Sequence, residues 1–209
     1  FFTSTNQIHI YILLFGIMSM FFAGIIDDTI GNRDVSGLGG HFRSLLNGNL
    51  TTGGFKALFG GFVGLLISVT ISKNIVDIVV NTLIIALSTN FMNILDLRPG
   101  RAIKVYLLIM FSIFIKATSD FRNMVVLIIP SVLSYFRIDL KAKAMMGDAG
   151  SNVLGISLGI FFVMGFTLKT RLLWLLFLIF IHGVTEKYSL TKIIENNKVL
   201  NYIDKIGRN

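Results

Sequence analysis

Residues 55–91 read FKALFGGFVGLLISVTISKNIVDIVVNTLIIALSTNF, two apolar runs separated only by Ser72, Lys73 and Asn74. Each run approaches the roughly 20 helical residues needed to cross a hydrocarbon core of about 30 Å, and so short a polar break permits only a tight reversal. The stretch predicts a transmembrane helical hairpin. Outward from it, similar apolar runs recur at 8–26, 103–118, 121–136, 152–168 and 171–184, which with 55–72 and 75–91 make about seven spans. Lys104, Lys116, Arg122 and Arg171 stand at the ends of the shorter runs, where long basic side chains snorkel to the headgroups. The expected fold is all-α: a single polytopic helix bundle over residues 1–209, embedded in a lipid bilayer.

Composition agrees. Apolar residues make up 54% of the chain and charged residues 14%, against about a quarter charged in soluble proteins. The absence of cysteine excludes disulfides, thiolate metal sites and thiol nucleophiles, leaving any chemistry to oxygen and nitrogen groups. The net charge of +8 is not arranged as basic runs interleaved with aromatics, so nucleic acid is not an expected partner. Membrane phosphates and anionic substrates are. No charged segment precedes the first apolar run after Phe1, which reads as missing upstream chain rather than as a signal peptide.

The connections alternate between tight and long, so the long segments 27–54, 92–102, 137–151 and 185–209 must share one face. That face takes Arg33, Arg43, Lys56, Arg98, Arg101, Lys104, Arg137, Lys141, Lys143, Lys187, Lys192, Lys198, Lys205 and Arg208, 14 basic residues. Lys73, Lys116, Arg122, Lys169 and Arg171 fall opposite, which puts the long loops in the cytoplasm and the amino end outside. The tail 185–209 alternates apolar and charged residues and reads as one or two amphipathic helices on the membrane surface. Gly60 with Gly64 and Gly155 with Gly159 have the spacing of close helix packing.

The polar residues of the long-loop face carry the candidate chemistry. Asp27 and Asp28 end the first span, where paired acids are costly unless they serve as a helix cap or act on phosphate, through a metal or as a base. Asn90 and Asn93 lie on one helical face with Asp96 three residues on, a set suited to a hard magnesium ion or to interhelical hydrogen bonds. In MMGDAGSNVLG, Asp148 sits near the start of a helix with Gly147, Gly150, Ser151 and Asn152, as either an anion and metal site or a plain helix start. His182 closes the last span, as an interfacial hydrogen-bonding residue or a catalytic one. Hydropathy brings all of these to one face, while Asp77 and Asp120 opposite read as solvated interface charges.

The order GIIDD, NFMNILD, MGDAGS and a late histidine, over about residues 24–187, resembles the polyprenyl-phosphate N-acetylhexosamine-1-phosphate transferases of glycosyltransferase family 4. The resemblance implies a fold of about ten helices, two of them lost before Phe1 and one after the tail. It implies Mg2+-dependent transfer of a sugar 1-phosphate from a UDP-sugar to polyprenyl phosphate, with release of UMP, at the cytoplasmic face of the cell membrane in envelope glycan synthesis. Asp148 and Asn93 would hold Mg2+, and Asp27 and Asp28 would lie near the lipid phosphate. Asn90, Asp96, Gly150, Ser151 and His182 would border the substrates, and Arg43, Lys56, Arg98 and Arg101 are phosphate clamps by charge alone. One departure stands out: the second motif often continues as DGLDG, and residues 96–100 here read DLRPG. A second hypothesis is a lipid- or nucleotide-sugar-binding protein of the same fold without turnover. An ion-coupled transporter ranks last, since its acids would lie near the midplane. The sequence leaves a homo-oligomer open.

Overall fold

The computed structural model describes residues 4–31, 38–116 and 119–208; Phe1, Arg33 and Thr118, which entered the sequence reading, lie outside them. All regular structure among the described residues is helical: α1 (Ser4–Ile30), α2 (Leu38–Leu46), α3 (Thr52–Ile71), α4 (Ile75–Leu95), α5 (Arg101–Lys116), α6 (Ser119–Leu140), α7 (Gly147–Gly165), α8 (Leu168–Lys187), α9 (Leu190–Asn196) and α10 (Lys198–Lys205). Six of these, α1, α3, α4, α6, α7 and α8, are long and apolar enough to cross a membrane. The chain is a multi-pass membrane protein, and its exposed Tyr11, Phe15, Phe22, Leu173 and Phe180 face a solvent that must be lipid.

The seventh expected span, 103–118, is α5, whose 16 residues extend only about 24 Å. It still packs as a bundle helix, burying Ala102, Ile103, Tyr106 and Met110. The hairpin that opened the sequence reading is present. Ser72 ends α3, its amide donating to the Ser68 carbonyl, and the Asn74 side chain caps α4 by accepting from the Asp77 amide.

Helix polarity follows from long-range bonds. The last turn of α1 meets the first turn of α7 through Asp28, the end of α4 meets α7 through Asn93, and Gly100 before α5 donates to Asp139 at the end of α6. Lys56 near the start of α3 reaches Asp27. The long connections therefore share one end of the bundle, as their lengths required.

Helix α7 is the axis, the most deeply buried of the six membrane-length helices. Its packing rests on glycine. A Cβ on Gly155 would lie 2.4 Å from the Thr89 Cα, and one on Gly159 2.7 Å from the Ile85 Cα, so α4 and α7 touch backbone to backbone. Gly64 of α3 packs less tightly, its Cβ position 3.3 Å from the Ile85 side chain and 3.4 Å from the Thr82 carbonyl, whereas Gly60 faces Met20 and an open cavity.

Candidate functional site

At the long-loop end, α1, α3, α4, α7 and α8 surround a cavity of about 740 Å³. Its charged rim holds Asp27, Asp28, Lys56, Asp148, His182 and Glu186; its floor, deeper in the bundle, is made by Met20, Ala57, Gly60 and Ala86.

The centre is ionic. The Lys56 ammonium donates to Asp27 Oδ2 at 2.7 Å and to Asp148 Oδ2 at 2.9 Å, with the Lys56 and Asp27 side chains 15% and 13% exposed. Asp27 stands in the last turn of α1, where the helix dipole opposes an acid, so the cation of α3 is needed to hold it there. Asp28 is differently engaged. Its two oxygens accept from the Asp148 and Ala149 amides, at 3.0 Å each. Met146, the residue before α7, makes no side-chain cap bond, so Asp28 caps α7 across the bundle. The sequence had allowed a capping role for these acids in the next segment; the helix capped is 120 residues away. Gly147 is required for this contact: its φ is +63°, and a Cβ would lie 2.8 Å from Asp28 Oδ2.

Behind the acids runs a ladder of amides. The Asn152 Nδ2 donates to the Met20 carbonyl at 3.4 Å, Asn93 Nδ2 donates to Asn152 Oδ1 at 2.8 Å, and the Ser151 hydroxyl donates to Asn93 Oδ1. Both polar atoms of Asn93 are thus engaged in tying α4 to α7, the interhelical alternative the sequence had left open, while its carbonyl oxygen keeps a second lone pair for the magnesium role that the resemblance implies. Asn90 lines the cavity. Ser151 does not line the cavity but donates to Asn93 and lies 3.5 Å from the Asp148 carbonyl, and Gly150 packs against the Met146 side chain.

Asp96 caps the end of α4, outside the cavity lining. Its Oδ1 is buried without a hydrogen-bond partner, and burial, followed by the neighbouring carboxylates of Asp139, Asp148 and Asp28, pushes its pKa up to about 7. His182 is buried in α8 and its Nδ1 lies 2.7 Å from the Leu178 carbonyl. A carbonyl only accepts, so Nδ1 carries the proton and Nε2, which has no partner, is left as an acceptor.

Three of the four basic clamps expected from charge alone do not line the cavity; Lys56 alone does. Arg43 is exposed in the last turn of α2. Arg98 pairs with Glu195 at the surface, at 3.2 Å. Arg101 is buried and forks onto Asp204 at 2.8 and 3.0 Å, with a further bond to Thr191. Burial opposes ionisation of Asp204, but the hydrogen bonds and charges of Arg101 and Arg208 outweigh it and bring its pKa to about 2. The amphipathic tail is therefore two short helices fastened to α5, with Val199, Tyr202 and Ile203 turned outward. Sequence reasoning missed Glu186, which lines the cavity and accepts from the Gly39 amide at 3.1 Å; its signal was the i, i+4 spacing from His182. It also missed Asp139, whose fully buried carboxylate accepts from Gly100.

Among the described residues no three His, Asp or Glu side chains converge on one ion position. The carboxylates of Asp27 and Asp148 do converge on one cation, the Lys56 ammonium. Two carboxylates, with remaining positions left to water and substrate oxygens, is the donor set magnesium commonly accepts, so these residues fit it.

Fold and site together define a multi-pass membrane protein with an acidic cavity at one end of its helix bundle. Comparison with protein-family models, with curated proteins and with solved structures finds no match.

Proposed function

We propose that this protein is a phosphoglycosyl transferase, moving a sugar 1-phosphate from a UDP-sugar to polyprenyl phosphate with release of UMP. The observation that carries the proposal is the meeting of Asp27, Asp28 and Asp148, from stretches more than a hundred residues apart, around Lys56 in one cavity. The cavity lining holds four carboxylates, those of Asp27, Asp28, Asp148 and Glu186, against the one ammonium of Lys56, so an anionic diphosphate is favoured to enter with a cation. Mg2+ held by Asp27 and Asp148 would neutralise the diphosphate and favour departure of UMP.

The chain's own groups then have separable tasks. Asp28 fixes the amino end of α7 and with it the position of Asp148. His182 lines the cavity with Nε2 buried and unpartnered, an acceptor for a substrate hydroxyl or N-H that substrate entry would have to uncover. The apolar floor at Met20, Ala57 and Gly60 lies on the membrane side of the charges, where the first isoprene units of a lipid phosphate would rest. The lipid phosphate oxygen attacks the phosphorus bonded to the sugar. The bond from that phosphorus to the bridging oxygen breaks, and the electron pair leaves with UMP. The basic excess of this end supports a cytoplasmic orientation, and the reading is of a cell-membrane enzyme of envelope glycan synthesis.

Purified protein in detergent, supplied with labelled UDP-sugars, Mg2+ and polyprenyl phosphate, should release UMP and form a lipid-linked product. Asp148→Asn should abolish both while still inserting in the membrane. Binding of either substrate without UMP would favour a non-catalytic binding protein; normal turnover by Asp148→Asn would overturn the role given to that residue.

A further inference from the structure

We propose that Lys56 is a built-in counter-cation, which must leave Asp27 and Asp148 before a divalent metal can take them, and which thereby couples metal binding to arrival of the diphosphate. The inference rests on the transferase reading of the site and concerns how that site loads.

The geometry is specific. One ammonium lies 2.7 Å from Asp27 Oδ2 and 2.9 Å from Asp148 Oδ2, bridging carboxylates that belong to different helices and would repel each other without it. Asp28 adds a third negative charge against the same end of α7. A divalent ion bound by both carboxylates would occupy the position the ammonium now holds, and two cations cannot share it. Lysine suits exchange better than arginine would, because its charge is compact and its four-carbon stem rotates freely.

The displaced ammonium remains tethered to α3 in a cavity whose acidic lining residues are Asp27, Asp28, Asp148 and Glu186. Its natural new partner is the phosphate that enters with the metal. Metal alone must therefore compete with Lys56, whereas metal and diphosphate together relieve the competition. The two ligands should bind with positive cooperativity, and the empty site should resist stray divalent ions.

The test is Mn2+ binding to the full chain in detergent, followed by electron paramagnetic resonance, for the wild type, Lys56→Met and Lys56→Arg. Lys56→Met, which keeps the stem and removes the charge, should bind Mn2+ at least about tenfold more tightly, the scale of one lost charged hydrogen bond. Lys56→Arg, which keeps the charge and forks onto carboxylates, should bind Mn2+ more weakly than the wild type. Added UDP should tighten Mn2+ binding in the wild type and much less in Lys56→Met. A second readout needs no variant: Mg2+ with UDP should change the acylation rate of Lys56 relative to exposed Lys73 at the opposite end.

Equal or weaker Mn2+ binding by Lys56→Met, or no Mn2+ binding by any form, would overturn the inference. Tighter binding by Lys56→Met without UMP release would uphold it and count against the transferase. UMP release with unchanged Mn2+ affinity would do the reverse.

Discussion

Replacing Asp28 by Asn removes a charge while keeping the side-chain shape, and its effect can be worked from two bonds. The carboxylate accepts from the Asp148 and Ala149 amides at 3.0 Å each. Asn offers one neutral oxygen and an NH2 group that cannot accept, so one amide loses its partner and the other loses charge assistance. Because Asp28 is exposed, water and salt screen part of this, and the helix-cap scale applies: about 1–2 kcal/mol. Opening of the first turn of α7 should rise roughly 5- to 30-fold. Hydrogen exchange followed by mass spectrometry on a peptide spanning 146–151 reads this directly. Faster exchange there, with the far end of α7 near Gly159 unchanged, is the expected result. Unaltered exchange at 148 and 149 would refute the capping role and with it the reason given for the placement of Asp148.

Gly155→Ala should cost about 1–3 kcal/mol in detergent unfolding because the new methyl meets the α4 backbone, whereas Gly61→Ala, with open space around its Cβ, should be nearly silent. Arg101→Ala should destabilise by about 3 kcal/mol by removing a buried partner of Asp204, and Arg98→Ala, at a surface pair, by no more than about 1 kcal/mol, both read by thermal unfolding. Asp96 ionises near 7 in the fold against 3.8 in the unfolded chain, so its contribution is fully present below pH 3.8 and is lost as pH rises through about 7. Asp96→Asn should therefore gain stability relative to the wild type between pH 4 and pH 8, and parallel melting curves at those two values would contradict this.

Hydropathy located the bundle because it measures the property lipid selects, and alternating loop lengths located the end that holds the cavity. It drew the helices too short at that end. Expected runs ending at 26 and 91 and starting at 152 become α1 to Ile30, α4 to Leu95 and α7 from Gly147, since backbone hydrogen bonding continues past the hydrocarbon into the polar layer. Asp27, Asp28 and Asp148 accordingly stand within helical turns rather than in loops, and His182 lies inside α8 as its span had placed it. Charge along the chain could not distinguish Lys56, which faces the cavity, from Arg101, which faces Asp204, because the choice is made by the fold of the tail 103 residues later. Nor could it separate Asp27 from its neighbour Asp28, one on an ammonium and the other on backbone amides, since adjacent helical positions point about 100° apart.

The chain has no cysteine, so single thiols can report which side of the membrane each position faces. In sealed vesicles of known orientation, Asp28→Cys and Asp148→Cys should react with an impermeant maleimide from one and the same side, and Lys73→Cys from the other. Reaction of the first two from opposite sides would separate the carboxylates on which the proposed site is built.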